Sequence, residues 1–199
     1  MNILVPDQRS HGMSEGKFIT FGVKESKDME DWLAYYHREL GKWPILLYGI
    51  SMGASTMLYL SDRRLSGDVR GIIADCGFTS PNDIWKHVVE KNLHLPYDLS
   101  VLLIEGNCRK KLNMGPRAYS AVDAMKVCEV PVLFIHGTSD SFVPIEMTYR
   151  NYLACKAPKR LFVVPGAEHA MSYFLDKEGY ENSILSFWKD FDKINEVSM

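Results

Sequence analysis

Short apolar runs alternate with amphipathic segments along the whole chain. The runs that have the length of a buried strand are 3–5, 44–49, 68–75, 131–137 and 160–166. The segments that carry apolar residues at helical spacing are 25–40, 51–65, 144–155 and 171–191. This alternation is typical of parallel strands whose two faces are both covered by helices. It predicts an α/β fold with a mostly parallel sheet of about five strands flanked by helices.

One interval, 81–123, breaks the alternation. A proline at position 96 and a basic stretch at 108–111 interrupt its apolar clusters. The apolar positions in question are Ile84, Trp85, Val88, Val89, Leu99, Val101, Leu102, Leu103 and Ile104. The interval is too short for a domain and too apolar for a linker. We therefore predict a small helical cap inserted into a single domain that spans 1–199.

Composition and charge narrow the function classes. The 199 residues suffice for one domain with a sizeable core. The net charge of −2 differs from the strong positive charge that is typical of nucleic-acid-binding proteins. The four cysteines form no C-x-x-C pair, which argues against a zinc or redox motif and favours reduced thiols. No apolar stretch has the length of a membrane span, and the N-terminus does not resemble a signal peptide. We expect a cytoplasmic protein, although a membrane anchor in a longer parent would not be visible in this sequence.

A serine lies directly after the second apolar run, in the pentapeptide Gly49-Ile50-Ser51-Met52-Gly53. The pattern G-x-S-x-G is weak by itself, because glycine and serine are both common residues. Here a predicted strand precedes it and a predicted helix follows, which is the context of a nucleophile elbow. In such a turn the flanking glycines are expected to relieve crowding. The hydroxyl becomes a nucleophile only with an imidazole that accepts its proton and an acid that orients the imidazole.

Candidates for the acid and the base follow the fourth and fifth runs. Asp140 lies in "HGTSDSFVP" and His169 in "GAEHA". Because the carboxyl ends of parallel strands meet at one edge of a sheet, we expect Ser51, Asp140 and His169 to lie together. Three residues that meet in this way are a stronger signal than the pentapeptide alone. We predict Ser51 as nucleophile, His169 as base and Asp140 as acid.

These motifs resemble those of α/β-hydrolases, in particular the esterase-like members that are related to the catalytic domains of prolyl-oligopeptidase-type peptidases. "GISMG" matches the elbow, "HGTSDSFVP" the acid loop and "GAEHA" the histidine loop. "DQRSHGMSEG" resembles the D-x-R-G-x-G-x-S loop after the family's fourth strand, with Ser10 where glycine is usual. The resemblance implies ester hydrolysis through an acyl-serine, without a metal or an organic cofactor. It also implies that the backbone N–H of Met52 is one oxyanion donor.

Other residues compete for these roles. Of the six histidines, His136 at a strand end is expected to have a hydrogen-bonded structural role, and His11 borders the cleft. His37, His87 and His94 read as exposed helix or cap residues. Asp75, at the end of the third run, is a rival for the acid, but the loop around Asp140 matches the family better through Val143 and Pro144. Phe78 and Trp85 are candidate substrate contacts, although aromatic residues at such positions more often belong to the core.

Matched by motif, the chain begins at the family's fourth strand, so strands one to three are missing. The resemblance places the family's third strand between 3–5 and 44–49, and the loop after it supplies a second oxyanion donor. Loss of one such donor lowers kcat by about 10²–10³ in a comparable enzyme. The abrupt start inside a strand favours a shortened copy of a longer hydrolase over a complete but reduced member. We expect 3–5 to pair with 45–47, or the exposed edge to bind a second copy of the chain.

Three functions remain open from the sequence. The leading one is a serine esterase whose partner is a small-molecule ester held under the cap. A peptidase or amidase on the same triad is the second. The third is a catalytically silent fragment or binding module that retains the triad without a complete oxyanion hole.

Overall fold

A computed structural model describes residues 2–92, 94–97, 101, 105–106, 108–110, 113–115, 117 and 119–192. Within these ranges, four strands form one sheet in the order β1-β2-β3-β4. They are β1 (Ile45–Ile50), β2 (Val69–Asp75), β3 (Val132–Gly137) and β4 (Lys159–Val164). All three pairings are parallel, so the four strands end at the same edge of the sheet. The predicted α/β class and parallel sheet are confirmed.

Helices cover both faces of this sheet. Their bounds are α1 (Glu25–Glu39), α2 (Met52–Leu60), α3 (Pro81–His87), α4 (Ala121–Met125), α5 (Ile145–Ala154), α6 (Ser172–Leu175) and α7 (Lys177–Asp192). A π-helical turn over Val88–Asn92 follows α3. None of the helices in the described ranges has the length and apolar character needed to span a bilayer.

The alternation of side chains along the strands divides the core into two layers. Ile72 packs with α2 in the larger cluster, whereas its neighbour Ile73 packs with Tyr180 and Phe187 of α7 in the smaller one. Successive strand residues point to opposite faces, and both of these isoleucines are almost completely buried. The continuous apolar runs in the sequence therefore reflect a sheet that is buried on both sides.

The strand predicted at 3–5 is not formed, so the sheet has four strands rather than five. Residues 3–5 do not pair with β1, and Ile3 and Val5 are each 82% exposed. A cavity of about 420 Å³ lies between this segment and β1, with Met57 and residues of α1 among its other walls. The expectation of direct pairing is wrong, because this cavity separates the segment from the edge of β1 and keeps their backbones from exchanging hydrogen bonds. Pairing with a second copy stays a prediction.

The loop that follows is closed by its own hydrogen bonds. The Ser14 hydroxyl donates to the carbonyl of Asp7, and the Asp7 carboxylate accepts from the N–H of Met13. Arg9 forms a two-pronged ion pair with Asp28, which ties the loop to α1. Ser10, at the position where glycine is usual, has a φ of 63°. The backbone therefore adopts the left-handed conformation at a residue that bears a Cβ atom, which is costly.

The interval 81–123 contributes α3, the π-helical turn and the start of α4. Ile84 is buried in the main core cluster and Val88 packs against it. Leu99 and residues 102–104 lie outside the described residues. The assignment of the interval as a cap within a single domain stays a prediction.

Candidate active site

Ser51 occupies the turn between β1 and α2. Its backbone has φ 54° and ψ −115°, and its N–H donates to the carbonyl of Asp75 at 2.8 Å. Its side chain does not cap the helix that begins at Met52. A strained φ of this kind lifts the serine out of the strand and leaves its hydroxyl available to other partners.

The two glycines around Ser51 have different roles. A Cβ atom on Gly49 would lie 2.3 Å from the backbone carbon of Gly53, so only glycine permits the close approach of strand and helix. A Cβ atom on Gly53 would meet nothing within 4 Å. The expectation that both glycines relieve crowding is therefore right for Gly49 and wrong for Gly53, which lines the cavity beside β1.

Ser51, His169 and Asp140 form a continuous hydrogen-bonded chain. Nε2 of His169 lies 2.9 Å from the Ser51 hydroxyl oxygen, and Nδ1 lies 2.7 Å from Oδ2 of Asp140. A carboxylate accepts hydrogen bonds only, so Nδ1 carries the proton and Nε2 is free to accept from Ser51. The side chain of Asp140 is completely buried, whereas that of His169 is 25% exposed.

Four hydrogen bonds converge on the Asp140 carboxylate. Oδ1 accepts from the backbone N–H groups of Phe142 and Val143 at 3.0 and 2.8 Å. Oδ2 accepts from His169 and also from Nε2 of His136 at 3.1 Å. Burial by itself would raise the pKa of Asp140, but these donors outweigh it and hold the pKa well below its ordinary value. The carboxylate therefore stays ionised across the physiological range.

The acid and histidine loops are fastened to each other. The N–H of Ser139 donates to the carbonyl of Ala167 at 2.9 Å, and the N–H of Gly166 donates to the Thr138 hydroxyl at 2.8 Å. A Cβ atom on Gly137 would lie 2.2 Å from the Ala167 carbonyl oxygen, so glycine at the end of β3 permits this contact. The separation of Asp140 and His169 is thus set by backbone packing rather than by the side chains alone.

His136 is completely buried and both of its ring nitrogens are occupied. Nδ1 lies 2.7 Å from the Thr148 hydroxyl, and Nε2 lies 2.9 Å from the carbonyl of Val143 as well as beside Asp140. It therefore supports the acid, as expected of a structural histidine. The imidazole of His11 contacts the carbonyl of Arg9.

The histidines predicted to lie on helices or the cap have partners other than Ser51, and His37 and His87 are half-buried rather than exposed. Nε2 of His37 lies 3.2 Å from Asp68, and Nε2 of His87 lies 2.9 Å from the carbonyl of Ser141. His94 is exposed. Among the histidines, all of which lie in the described part of the chain, the Ser51 hydroxyl contacts His169.

Asp75, the rival acid, faces a different partner. Its Oδ2 accepts from the Tyr180 hydroxyl at 2.8 Å, and the Tyr48 and Tyr180 hydroxyls are 2.9 Å apart. Burial raises the pKa of Asp75, although the hydrogen bond from Tyr180 opposes the shift. Its carboxylate therefore belongs to a tyrosine network under α7, and the imidazole of His169 is oriented by Asp140 instead.

Among the described residues, Cys76, Asp140 and His169 form a group whose potential metal ligands lie within 4.8 Å of one another. The geometry favours a hydrogen-bonded site over a metal site. Both oxygens of Asp140 are already occupied by donors, and burial raises the pKa of the Cys76 thiol well above its ordinary value. A neutral thiol is a poor metal ligand.

The remaining candidate residues surround this chain of hydrogen bonds. Met52 is the first residue of α2, so its N–H has no acceptor within the helix and is suited to bind an anion. Phe78 is only 3% exposed and lies in the core, where its N–H donates to Ser55. Trp85 packs against the same core and meets Phe21 edge to face. Substrate contacts by Phe78 and Trp85 stay predictions.

Sequence reasoning did not find two neighbours of the site. The bond to Asp140 comes from His136, four residues earlier in β3, and their spacing was visible although its consequence was not. The ring of Phe142 contacts that of His169 at a tilt of 56°, with ring centroids 5.0 Å apart. Its place in the acid loop carried no signal, because the spacing of a loop does not show which side chains turn toward a neighbouring strand end.

Solved structures share this arrangement of strands and helices. The Pyrococcus furiosus esterase Pf2001 superposes with a TM-score of 0.72 at 21% identity, covering 93% of this chain and 69% of that one. A lipase-esterase related protein from Clostridium acetobutylicum has a TM-score of 0.67 at 18% identity, covering 91% and 81%. The chain has the α/β-hydrolase fold. Acylaminoacyl peptidase from Pyrococcus horikoshii has the same fold in part, with a TM-score of 0.62 at 16% identity, covering 86% and 28%.

Sequence relatives of this α/β-hydrolase-fold chain are longer than it is. The uncharacterized protein YqkD of Bacillus subtilis is 31% identical over 189 residues, which are 94% of this chain and 61% of that protein. The uncharacterized protein YfhR of Escherichia coli K12 is 24% identical over 94% of this chain and 60% of its own length. The chain thus spans about three fifths of the curated relatives that it matches. No protein-family model matches it.

Proposed function

We propose that the chain is a serine hydrolase that cleaves small carboxylic esters, with Ser51 as nucleophile, His169 as base and Asp140 as the acid that orients His169. The observation that carries the proposal is the chain of hydrogen bonds from the Ser51 hydroxyl to Nε2 of His169 and from Nδ1 to Asp140. Nucleophile, base and orienting acid stand in the order that acyl transfer requires.

In this mechanism the Ser51 oxygen attacks the ester carbonyl carbon while Nε2 of His169 takes the hydroxyl proton. The tetrahedral intermediate then breaks its bond to the alcohol oxygen, and the imidazolium returns the proton to that oxygen. An acyl-Ser51 remains. Water attacks it with His169 again as base, and the products are the carboxylic acid and the alcohol. Asp140 stabilises the imidazolium in both steps because its carboxylate stays ionised.

The developing oxyanion has one donor assigned to it, the backbone N–H of Met52. This N–H lies at the start of α2, where the helix dipole adds to its attraction for negative charge.

Physical chemistry favours an ester over an amide. An amide carbonyl is less electrophilic, and its amine leaves only after full protonation, so amide cleavage depends more strongly on oxyanion stabilisation. The solved acylaminoacyl peptidase with the same fold keeps an amidase or peptidase as the second candidate.

Labelling with a small alkyl fluorophosphonate tests the proposal most directly, because the reagent reacts with an activated serine and needs no substrate preference. We expect stoichiometric labelling of the wild-type chain and none of Ser51→Ala. His169→Ala should be labelled about 10²–10⁴-fold more slowly, because the imidazole is the general base. Failure of the folded wild-type chain to react would contradict an activated Ser51 and favour a catalytically silent binding module.

A pair of chromogenic substrates separates the two enzyme candidates. We expect turnover of p-nitrophenyl acetate that exceeds turnover of aminoacyl p-nitroanilides by a large factor. The reverse preference would support the peptidase. Labelling without turnover of either substrate would show that Ser51 is activated but that oxyanion stabilisation is insufficient.

A further inference from the structure

Phe142 is an exposed aromatic residue held against the proposed base. The residue is 46% exposed. The centroid of its ring nevertheless lies 5.0 Å from that of the His169 imidazole, and the two ring planes meet at 56°. Exposed phenylalanine rings usually find less defined positions, because burial is what holds an apolar side chain in place.

The backbone at Phe142 is fixed by the acid itself. The N–H groups of Phe142 and the following Val143 both donate to Oδ1 of Asp140, and Val143 is completely buried. The carbonyl of the preceding Ser141 accepts from the ring of His87 on α3. The same carboxylate therefore orients the imidazole through one oxygen and fixes the backbone that carries the aromatic ring through the other.

The two halves of an ester occupy different places around such a triad. The acyl carbon bonds to the Ser51 oxygen, and the alcohol oxygen must come within hydrogen-bond distance of Nε2 of His169 to receive its proton. The first carbon atoms of the alcohol therefore lie beside the imidazole. The ring of Phe142 contacts the same imidazole and is exposed to solvent, which makes it the candidate neighbour of the alcohol.

We infer that Phe142 is a specificity-determining residue for the alcohol half of the ester and that it favours apolar, in particular aromatic, alcohols. The inference rests on the proposed function. An aromatic or aliphatic alcohol would remove the exposed ring from water and pack against it, whereas a polar alcohol would lose hydration without a partner.

Esters that differ only in the alcohol test the inference. Benzyl acetate and ethyl acetate share the acetyl group and have leaving alcohols of similar acidity, so the ratio of their kcat/KM values reports contacts to the alcohol. We expect Phe142→Ala to lower this ratio about fivefold, a change of the size expected for one aromatic contact. Cyclohexylmethyl acetate compared with ethyl acetate tests an aliphatic alcohol in the same way. Phe142→Leu should keep most of the wild-type preference for cyclohexylmethyl acetate, because an apolar contact remains.

A second series controls for general damage to the site. The ratio of ethyl butyrate to ethyl acetate should change less than twofold in Phe142→Ala, because both substrates share the same alcohol. Phe174→Ala is the matched control variant, since Phe174 is an exposed phenylalanine whose ring meets Tyr173 rather than His169. It should leave both ratios unchanged.

Labelling separates this inference from the proposed function. The leaving group of a fluorophosphonate is fluoride, so contacts to an alcohol do not affect its rate, and Phe142→Ala should be labelled. A wild-type chain that is not labelled would overturn the proposed function. A labelled chain whose benzyl-to-ethyl ratio stays within twofold in Phe142→Ala, or whose acyl ratio changes as much, would overturn the inference about Phe142 alone.

Discussion

Replacement of Asp140 with asparagine tests the site most sharply, because it changes one oxygen to an amide nitrogen at nearly constant volume. If the amide oxygen keeps the two backbone donors of residues 142 and 143, the amide NH₂ group faces the imidazoles of His169 and His136. Donation to Nδ1 of His169 then forces the proton onto Nε2. In that tautomer Nε2 has no lone pair for the Ser51 proton.

The magnitude follows from that tautomer. A comparable change in a serine protease lowers kcat by about 10⁴, which corresponds to about 5 kcal/mol at 1.36 kcal/mol for each tenfold change. We expect a loss of about 10³–10⁴ in the rate of p-nitrophenyl acetate hydrolysis and in the rate of fluorophosphonate labelling. Stability should fall by about 2–4 kcal/mol at pH 7, because the two backbone donors then bind a neutral amide oxygen instead of a charged carboxylate and the amide NH₂ group cannot accept the bond from His136.

The pH dependence has a definite sign. The folded-state pKa of Asp140 lies below its ordinary value, so its contribution to stability is present above the ordinary carboxyl pKa of about 4 and disappears as the pH falls through the folded-state pKa. The difference in unfolding free energy between wild type and Asp140→Asn should therefore shrink below about pH 4. Urea unfolding of both proteins at pH values from about 3 to about 7 measures this difference in unfolding free energy.

Asp75→Asn is the matched control, since Asp75 is also a buried carboxylate at a strand end but accepts from Tyr180. It should keep activity within about tenfold of wild type, because no imidazole depends on it. Two results would refute the reasoning. One is an Asp140→Asn variant that retains more than a tenth of wild-type turnover, and the other is a larger loss in Asp75→Asn, which would assign the acid role to Asp75.

Three further predictions concern the backbone and the sheet edge. Gly49→Ala should lower the unfolding free energy by more than about 2 kcal/mol, the scale of core overpacking. Gly53→Ala should be neutral or stabilising by about 0.5 kcal/mol. Equal shifts of the melting temperature in the two variants would contradict the close contact at Gly49. Ser10→Gly should stabilise the chain by about 1 kcal/mol because glycine tolerates the left-handed backbone, and Ser10→Ala should not stabilise it. A gain in both variants would show that loss of the Ser10 hydroxyl, rather than the backbone, is the cause. The double variant Ile3→Lys, Val5→Lys should reduce self-association in light scattering without lowering the melting temperature, because both side chains are exposed beside an unpaired strand edge. A wild-type chain that is monomeric at high concentration would contradict this last expectation.

Local patterns in the sequence determined most of the elements. The run 44–49 and the helical spacing of 25–40 each encode an element through the alternation or periodicity of their own side chains, and the structure forms both as β1 and α1. The chain order of Ser51, Asp140 and His169 after successive strands was likewise visible, because parallel strands bring their carboxyl ends to one edge whatever the details of packing.

The loop match in the sequence favoured Asp140 over Asp75, but only tertiary structure shows which of the two contacts His169 and whether 3–5 joins the sheet. The sheet places β4, which precedes His169, next to β3, which precedes Asp140, while β2 carries Asp75 one strand further away and under Tyr180 of α7. A strand also requires a neighbour, and the apolar run 3–5 has none in the sheet, so its composition alone does not make it a strand. Contacts such as the ring of Phe142 beside His169 depend on how loops from different strands meet, and no local pattern contains that information.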